Sequence, residues 1–319
     1  MKPQEKNKKH FWHGCILLIL LCSLSFLFPA ASYGEQTTET STAADKKGLV
    51  KEGTKYYYYS SNGKKVTNKW KTVNGYRYYF QSDGSAAVYS TKINGTIYVF
   101  DKKGRLYRPS KARFITSGKY TYYVDKKGRA ATGWMVINNK LYRADGKGRL
   151  CRNKTYQGIT FTSNFYAKNN TNAKLKIKTM QILSGITTSE MSKPQKLRAC
   201  WNYVVSGNIR YVSYYPNLNT NGWQRTTALR TLTLGTGNCY GYACAFAALA
   251  NEVGYTPYVV CGRVSGTTDG ASDGLTRHCW VKIGSAYYDP EAQYAGWYRG
   301  VYGIRSYDIY HVVSSTVKF

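Results

Sequence analysis

Residues 234–255 read LGTGNCYGYACAFAALANEVGY, and this stretch decides the fold of the C-terminal half. Gly235 and Gly237 make a flexible turn ahead of Cys239. From Ala243 to Ala250 the chain is apolar almost all round, which predicts a helix buried on every side. Gly254 is a natural C-terminal stop for it. A thiol at the start of a buried helix meets the positive end of the helix dipole and a set of unpaired N–H groups. Both favour a thiolate, and the N–H groups can stabilise an oxyanion. A free cysteine is otherwise most often a small buried hydrophobe. That plain reading is applied to Cys200, Cys244, Cys261 and Cys279, with a Cys261–Cys279 disulfide left open. For Cys239 the glycine turn favours the nucleophile.

Working outward, Pro194 suits a helix start. Leu197, Trp201, Val204 and Val205 share one face of that helix, Gly207 ends it, and Asn208–Val212 begins an extended stretch. Downstream, Tyr258–Val264, His278–Ile283 and Ala286–Glu291 read as strands. The chain has 4 histidines, of which His10 and His13 fall in the N-terminal leader. A cysteine nucleophile working near neutral pH needs an imidazole partner. His278 opens a strand after the small, polar loop SGTTDGASDGLTR, whereas His311, in DIYHVVS, is expected to pack or lie exposed. Asp289 follows in YYDP, and a tight hairpin would set it beside His278, where an acid orients the ring and holds the imidazolium. The alternative for Asp289 is a turn-initiating residue before Pro290.

The order GxGNC, buried helix, GY, an apolar strand ending in GRVSG, then HCWVKI and YYDP resembles the transglutaminase-like superfamily over about residues 172–319. The resemblance implies an α+β, papain-like domain of helices packed on an antiparallel sheet. It implies Cys239 as nucleophile, His278 as base and acid, and Asp289 as orienter, with no cofactor. The reaction it implies is acyl transfer from a protein or peptide amide through a thioester. An amine acceptor then gives a cross-link, and water gives an amidase or protease. The Trp223 indole N–H is a candidate oxyanion donor. Two other readings are an NlpC/P60-type peptidoglycan endopeptidase and a wall-anchored adhesin with an inactive triad. The Cys239–His278–Asp289 spacing and the YYDP step favour the first reading over the endopeptidase, and the presence of all three residues favours it over the adhesin. There is no CxxC pair, no HExxH and no clustered histidine, so no metal is expected.

Tyrosine is in excess, at 32 of 319 residues. The excess comes from a repeat: glycine, an aromatic cluster, a polar turn with Asp or Asn, then Gly-Lys/Arg. It begins at Gly53, Gly75, Gly95, Gly118 and, more loosely, Asn139. Each unit reads as a β-hairpin with Asn62-Gly63 or Asp83-Gly84 supplying the tight turn. One hairpin cannot bury a core, but about five stacked units can, with the tyrosines as an aromatic spine. The units resemble the choline- and glucan-binding type of Gram-positive cell-wall-binding repeat, with Trp70 and Trp134 where those repeats carry tryptophan. The domains expected are therefore repeats at 49–155, a linker at 156–171 and the catalytic domain at 172–319.

At the N-terminus, Lys2, Lys6, Lys8 and Lys9 precede the apolar run CILLILLCSLSFLF, and Pro29 and small residues follow. This reads as a signal peptide over 1–34, followed by a linker at 35–48. The run is short for a membrane helix, which needs about 20 apolar residues; an uncleaved anchor is the alternative. No LPxTG-like sorting tail is seen, so wall attachment is expected to be non-covalent. Of the formal net charge of +30, the segment 45–155 carries +20. In an exported chain such a charge suits an anionic wall polymer, a teichoic acid or a glycan, rather than nucleic acid or a choline cation.

Overall fold

The structure, a computed structural model, describes residues 46–319. The signal peptide expected at 1–34 and most of the linker expected at 35–48 lie outside the described residues. Five hairpins of five-residue strands come first. They pair Gly48–Glu52 with Lys55–Tyr59, Lys69–Val73 with Tyr76–Phe80, Tyr89–Ile93 with Thr96–Phe100, Arg113–Ser117 with Tyr120–Val124, and Gly133–Ile137 with Lys140–Ala144.

The tight turns stand elsewhere than expected. Asn74-Gly75 and Asn94-Gly95 join the paired strands, and all four residues take positive φ, the conformation that matches strand twist in a two-residue turn. Asn62-Gly63 and Asp83-Gly84 close a second turn, in which Gly63 N donates to Ser60 O at 3.0 Å and Gly84 N to Gln81 O at 2.9 Å. That turn folds the tail of each unit back onto its own second strand. Three units fix it with a carboxylate: Asp101 Oδ1 accepts from the backbone N–H groups of Lys103 and Arg105, and Asp125 and Asp145 do the same in their units.

Each tail also bonds to the unit before it. Leu106 N donates to Arg77 O at 2.8 Å, Ala130 N to Ile97 O at 2.8 Å and Leu150 N to Thr121 O at 2.9 Å. Each unit is therefore tied to its nearest neighbours, which makes the array a one-dimensional stack. For the same reason the aromatic residues form separate clusters, such as Tyr78–Phe80–Ala86 and Val99–Tyr122–Val124, instead of one spine.

Residues 156–171, expected as a linker, carry a short sixth hairpin. Thr155–Tyr156 pairs with Ile159–Thr160, and Ala167 N donates to Leu141 O at 2.8 Å. This unit lacks the aromatic run and has Phe165 at positive φ where the others have glycine, so its sequence hides its kinship. Its buried Phe161 joins Leu141, Ile159 and Ala173 in a cluster that seats the array on the first helix.

The C-terminal half holds five helices: α1 (Thr171–Ile186), α2 (Lys193–Val205), α3 (Trp223–Leu234), α4 (Cys239–Glu252) and α5 (Pro290–Ala295). A five-stranded antiparallel sheet runs in the spatial order Tyr302–Ile304, Ala286–Tyr288, Leu275–Ile283, Pro257–Ser265, His311–Lys318. This is the α+β class. Asn170 caps α1 through Ala173 N, and Ser192 with Gln195 forms a capping box on α2, with Pro194 in the first turn. α4 is buried from Cys239 to Ala250 and packs on α3, α2 and the two central strands.

Gly262, in the Pro257–Ser265 strand, stands opposite His278 at a register shift against the last strand. A Cβ there would press into the Val312 carbonyl oxygen and lie 3.1 Å from the Trp280 ring. Gly262→Ala is expected to destabilise the fold by about 1–3 kcal/mol through overpacking. Denaturant titration checks this, and an unchanged midpoint would mean that the last strand yields freely.

Candidate active site

Cys239 is the first residue of α4, and the two glycines before it are held rather than loose. Gly235 ends α3 in the left-handed conformation, and Thr236–Gly237 pairs in parallel with Arg210–Tyr211. Arg210 N donates to Gly235 O at 2.8 Å and Val212 N to Gly237 O at 3.0 Å. The extended stretch at Asn208–Val212 thereby anchors the turn that aims Cys239 at the sheet.

His278 lies in the middle of its strand and not at the opening, because pairing with Ser265 and Val264 carries the strand back to Leu275. The Gly284–Ser285 turn brings Ala286–Tyr288 back along it, with Val281 opposite Tyr288. Asp289 follows directly, and its Oδ2 accepts from His278 Nε2 at 2.7 Å. Asp289 both meets the His278 ring and starts a helix. Its other oxygen, Oδ1, accepts from Ala292 N at 3.1 Å and caps α5, which starts at Pro290. The expected strand Ala286–Glu291 therefore stops at Tyr288. Tyr307 OH donates to the same Oδ2 at 2.5 Å, so this fully buried carboxylate has partners on both oxygens.

With Nε2 engaged, Nδ1 of His278 is the nitrogen left for the thiol, and Cys239 and His278 line the same cleft. Burial alone pulls the imidazole pKa down. The Asp289 carboxylate and its hydrogen bond push it up further than that, so His278 stands well above its ordinary value. Glu291 Oε2 lies 3.8 Å from His278 Nδ1. Burial and then the neighbouring Asp289 raise the Glu291 carboxyl, against the pull of His278 and a hydrogen bond from Trp297. The Trp297 ring stands edge-on to His278 at 5.4 Å and is 46% exposed, so it roofs the imidazole on one side. Trp280 stacks on the ring at 6.0 Å.

The cleft above Cys239 encloses about 190 Å³, lined by Tyr211, Tyr215, Asn238, Ser265, Glu291 and Trp297 among others. Asn238 is 1% exposed, and neither its Oδ1 nor its Nδ2 has a partner. Its side chain makes no cap to α4 either. Asn238, Glu291 and Tyr307 escaped the sequence reading, whereas Trp297 belongs to the aromatic stretch Tyr294, Trp297, Tyr298 and Tyr302 that the sequence offers after Asp289 as cover for a thioester. Only Asn238 carried a signal, its place immediately before the cysteine. Trp223 is buried at the start of α3, packs edge-on to Tyr240 at 6.1 Å, and is not among the cleft-lining residues. His311 packs edge-on to Trp280 and Tyr307. Cys200, Cys244, Cys261 and Cys279 are buried free thiols, and the Cys261 and Cys279 sulfurs lie 3.4 Å apart across the strand pair. Among the described residues no group of three or more His, Cys, Asp or Glu side chains is placed to hold a metal.

Residues 180–299, which hold α2 to α5 and all three residues of this constellation, match the family model described as the transglutaminase-like superfamily. The chain carries a transglutaminase-like domain. That family is one of cysteine enzymes, and the transglutaminase-like match begins inside α1. The chain matches no curated protein sequence. Among solved structures it is similar to CbpJ from Streptococcus pneumoniae TIGR4, at 21% identity over 39% of this chain and 48% of that one, with a TM-score of 0.26. It is similar to choline binding protein F from Streptococcus pneumoniae in the presence of a peptidoglycan analogue, at 29% identity over 39% and 47% of the two chains, with a TM-score of 0.20. The autolysin LytC of the same organism gives 17% identity over 38% and 27%, with a TM-score of 0.26. The chain thus spans about half the length of the choline-binding proteins it matches first.

Proposed function

We propose that this protein is a secreted, wall-associated cysteine acyltransferase that cleaves protein or peptide amides through a thioester on Cys239. The observation that carries the reading is the buried His278 Nε2–Asp289 Oδ2 bond of 2.7 Å beside a thiol at a helix N-terminus. Asp289 raises His278 above its ordinary value against the effect of burial, which favours the cationic ring that a thiolate nucleophile needs as partner. Cys239 Sγ attacks the amide carbon, and the oxyanion forms against the N–H groups at the start of α4. His278 gives its Nδ1 proton to the departing amine as the C–N bond breaks. In the second half-reaction water or an amine attacks the thioester, His278 takes the proton, and the sulfur leaves as thiolate. Asp289 holds the ring throughout.

Asn238 is assigned to the substrate. An amide with both its donor and its acceptor buried and unpaired suits another amide group or a developing oxyanion. Asn238→Ala is expected to lower kcat by about 10²-fold, as loss of one oxyanion donor does. A rise in KM alone would assign it to ground-state binding.

Hydrolysis is the fate we expect at least as often as cross-linking. The loop from Ser265 to Gly270 is small and polar, and the cleft's aromatic residues Tyr211, Tyr215 and Trp297 are each half exposed. Cover of that kind excludes little water from a thioester. The test supplies a glutamine-containing peptide with rising lysine analogue and measures both products. Cross-linked product dominating at low amine would make the protein a true transglutaminase. No product of either kind would remove the enzymatic reading.

A further inference from the structure

Two grooves of about 850 and 800 Å³ lie along the hairpin array. They correspond position by position, two repeats apart: Tyr76 with Tyr120, Asp101 with Asp145, Arg105 with Arg149 and Arg108 with Arg152. The first is lined by five bases, Arg77, Arg105, Arg108, Lys126 and Lys127, and one acid, Asp101; the second has the same ratio around Asp145.

In each groove the acid and one ring, Tyr76 or Tyr120, are already occupied by the chain itself. Arg105 Nε bonds Asp101 Oδ2 at 2.6 Å while its guanidinium lies 4.6 Å from the centre of the Tyr76 ring. Arg149 repeats this with Asp145 at 2.7 Å and Tyr120 at 4.7 Å. A quaternary ammonium needs bare ring faces and no competing cation. Here a guanidinium takes the place of such a ligand and leaves a net positive groove. Clamped by a carboxylate on one edge and a ring on its face, that guanidinium is pre-organised to present its remaining N–H groups to an anion. In the unit between, the position of Tyr76 and Tyr120 is Thr96, so the Asp125–Arg129 clamp recurs without a ring.

We propose that these two grooves bind successive phosphodiester groups of an anionic wall polymer and that the array does not take choline. The assignment rests on the wall-associated reading above and names the chemistry of its ligand. Two equivalent sites on one rigid stack favour a polymer over a single anion, since the second contact becomes intramolecular.

The test uses the full chain. It compares retention on purified sacculi before and after removal of phosphodiester-linked polymers with hydrofluoric acid, binding of soluble poly(glycerol phosphate), and binding to phosphatidylglycerol vesicles, each with choline as competitor. Stripping the sacculi is expected to weaken retention at least about tenfold, with choline without effect. Arg108→Glu with Arg152→Glu, both exposed positions, should weaken polymer binding about tenfold and leave thermal unfolding and peptide-amide turnover unchanged. The matching double lysine variant should bind as the parent does. Competition by choline, or retention indifferent to both stripping and charge reversal, would overturn the phosphodiester assignment while leaving wall association standing. Poly(glycerol phosphate) binding without any retention on sacculi would sustain the grooves and remove the wall reading. Preference for vesicles over the polymer would overturn the polymer assignment.

Discussion

Asp289→Asn is expected to lower turnover by roughly 10³–10⁴-fold without unfolding the domain. Asp289 Oδ2 accepts from both His278 Nε2 and Tyr307 OH. An asparagine presents at most one oxygen, so it either turns an N–H toward the ring or gives up the cap on Ala292 N. In both arrangements the imidazolium loses the carboxylate that holds it. The fold survives because the oxygen that caps α5 can be kept. Stability gives a second readout. The folded pKa of His278 is raised, so its charge-linked stabilisation is complete below its unfolded value of about 6.5 and is lost as pH rises through the folded value. The variant should show a flatter stability profile on the alkaline side of about 6.5. Near-native turnover would mean that another group, with Glu291 the nearest at 3.8 Å, orients the ring.

Cys239→Ala is expected to remove turnover altogether, a loss on the order of 10⁶-fold where nucleophile and base act as a unit. Alkylation tells this apart from simple misfolding. Iodoacetamide at mildly acidic pH should label Cys239, which opens on the cleft, and spare Cys244, Cys200 and Cys279, whose pKa values burial pushes up. His278→Ala should suppress the labelling by removing the neighbouring cation. Equal labelling with and without His278, or labelling spread over the buried thiols, would sink the thiolate assignment and return the inactive-adhesin reading.

Much of this was legible in the chain because it is written in local patterns. The apolar run behind Cys239 demands burial on all sides. Four histidines, two of them in the segment expected as a leader, leave few choices for a base. The hairpin that brings Asp289 to His278 needs only a tight turn between two short strands. The hairpin array follows from repetition, and its charge from counting. Period and composition, however, do not say which of two turns joins the paired strands. That depended on Asn74 and Asn94 accepting positive φ beside glycine, while Gly63 and Gly84 serve to return the tail. The sixth hairpin was hidden because its turn uses Phe165 and its two-residue strands lack the aromatic run.

What the sequence determined by itself was the order of elements, the candidates Cys239, His278 and Asp289 and the cationic array, since these rest on local patterns, on a family resemblance or on counts. What only the tertiary structure decided was which groups distant in sequence meet. Tyr307 reaches Asp289 across 18 positions, Asn238 stands unpaired in the cleft, Trp297 rather than Trp223 faces the imidazole, and Arg105 covers Tyr76 from the following repeat. The physical reason is the same in each case. Local periodicity sets which face of an element is buried, but the partner of a buried polar atom is chosen by packing between elements, and nothing along the chain records that choice.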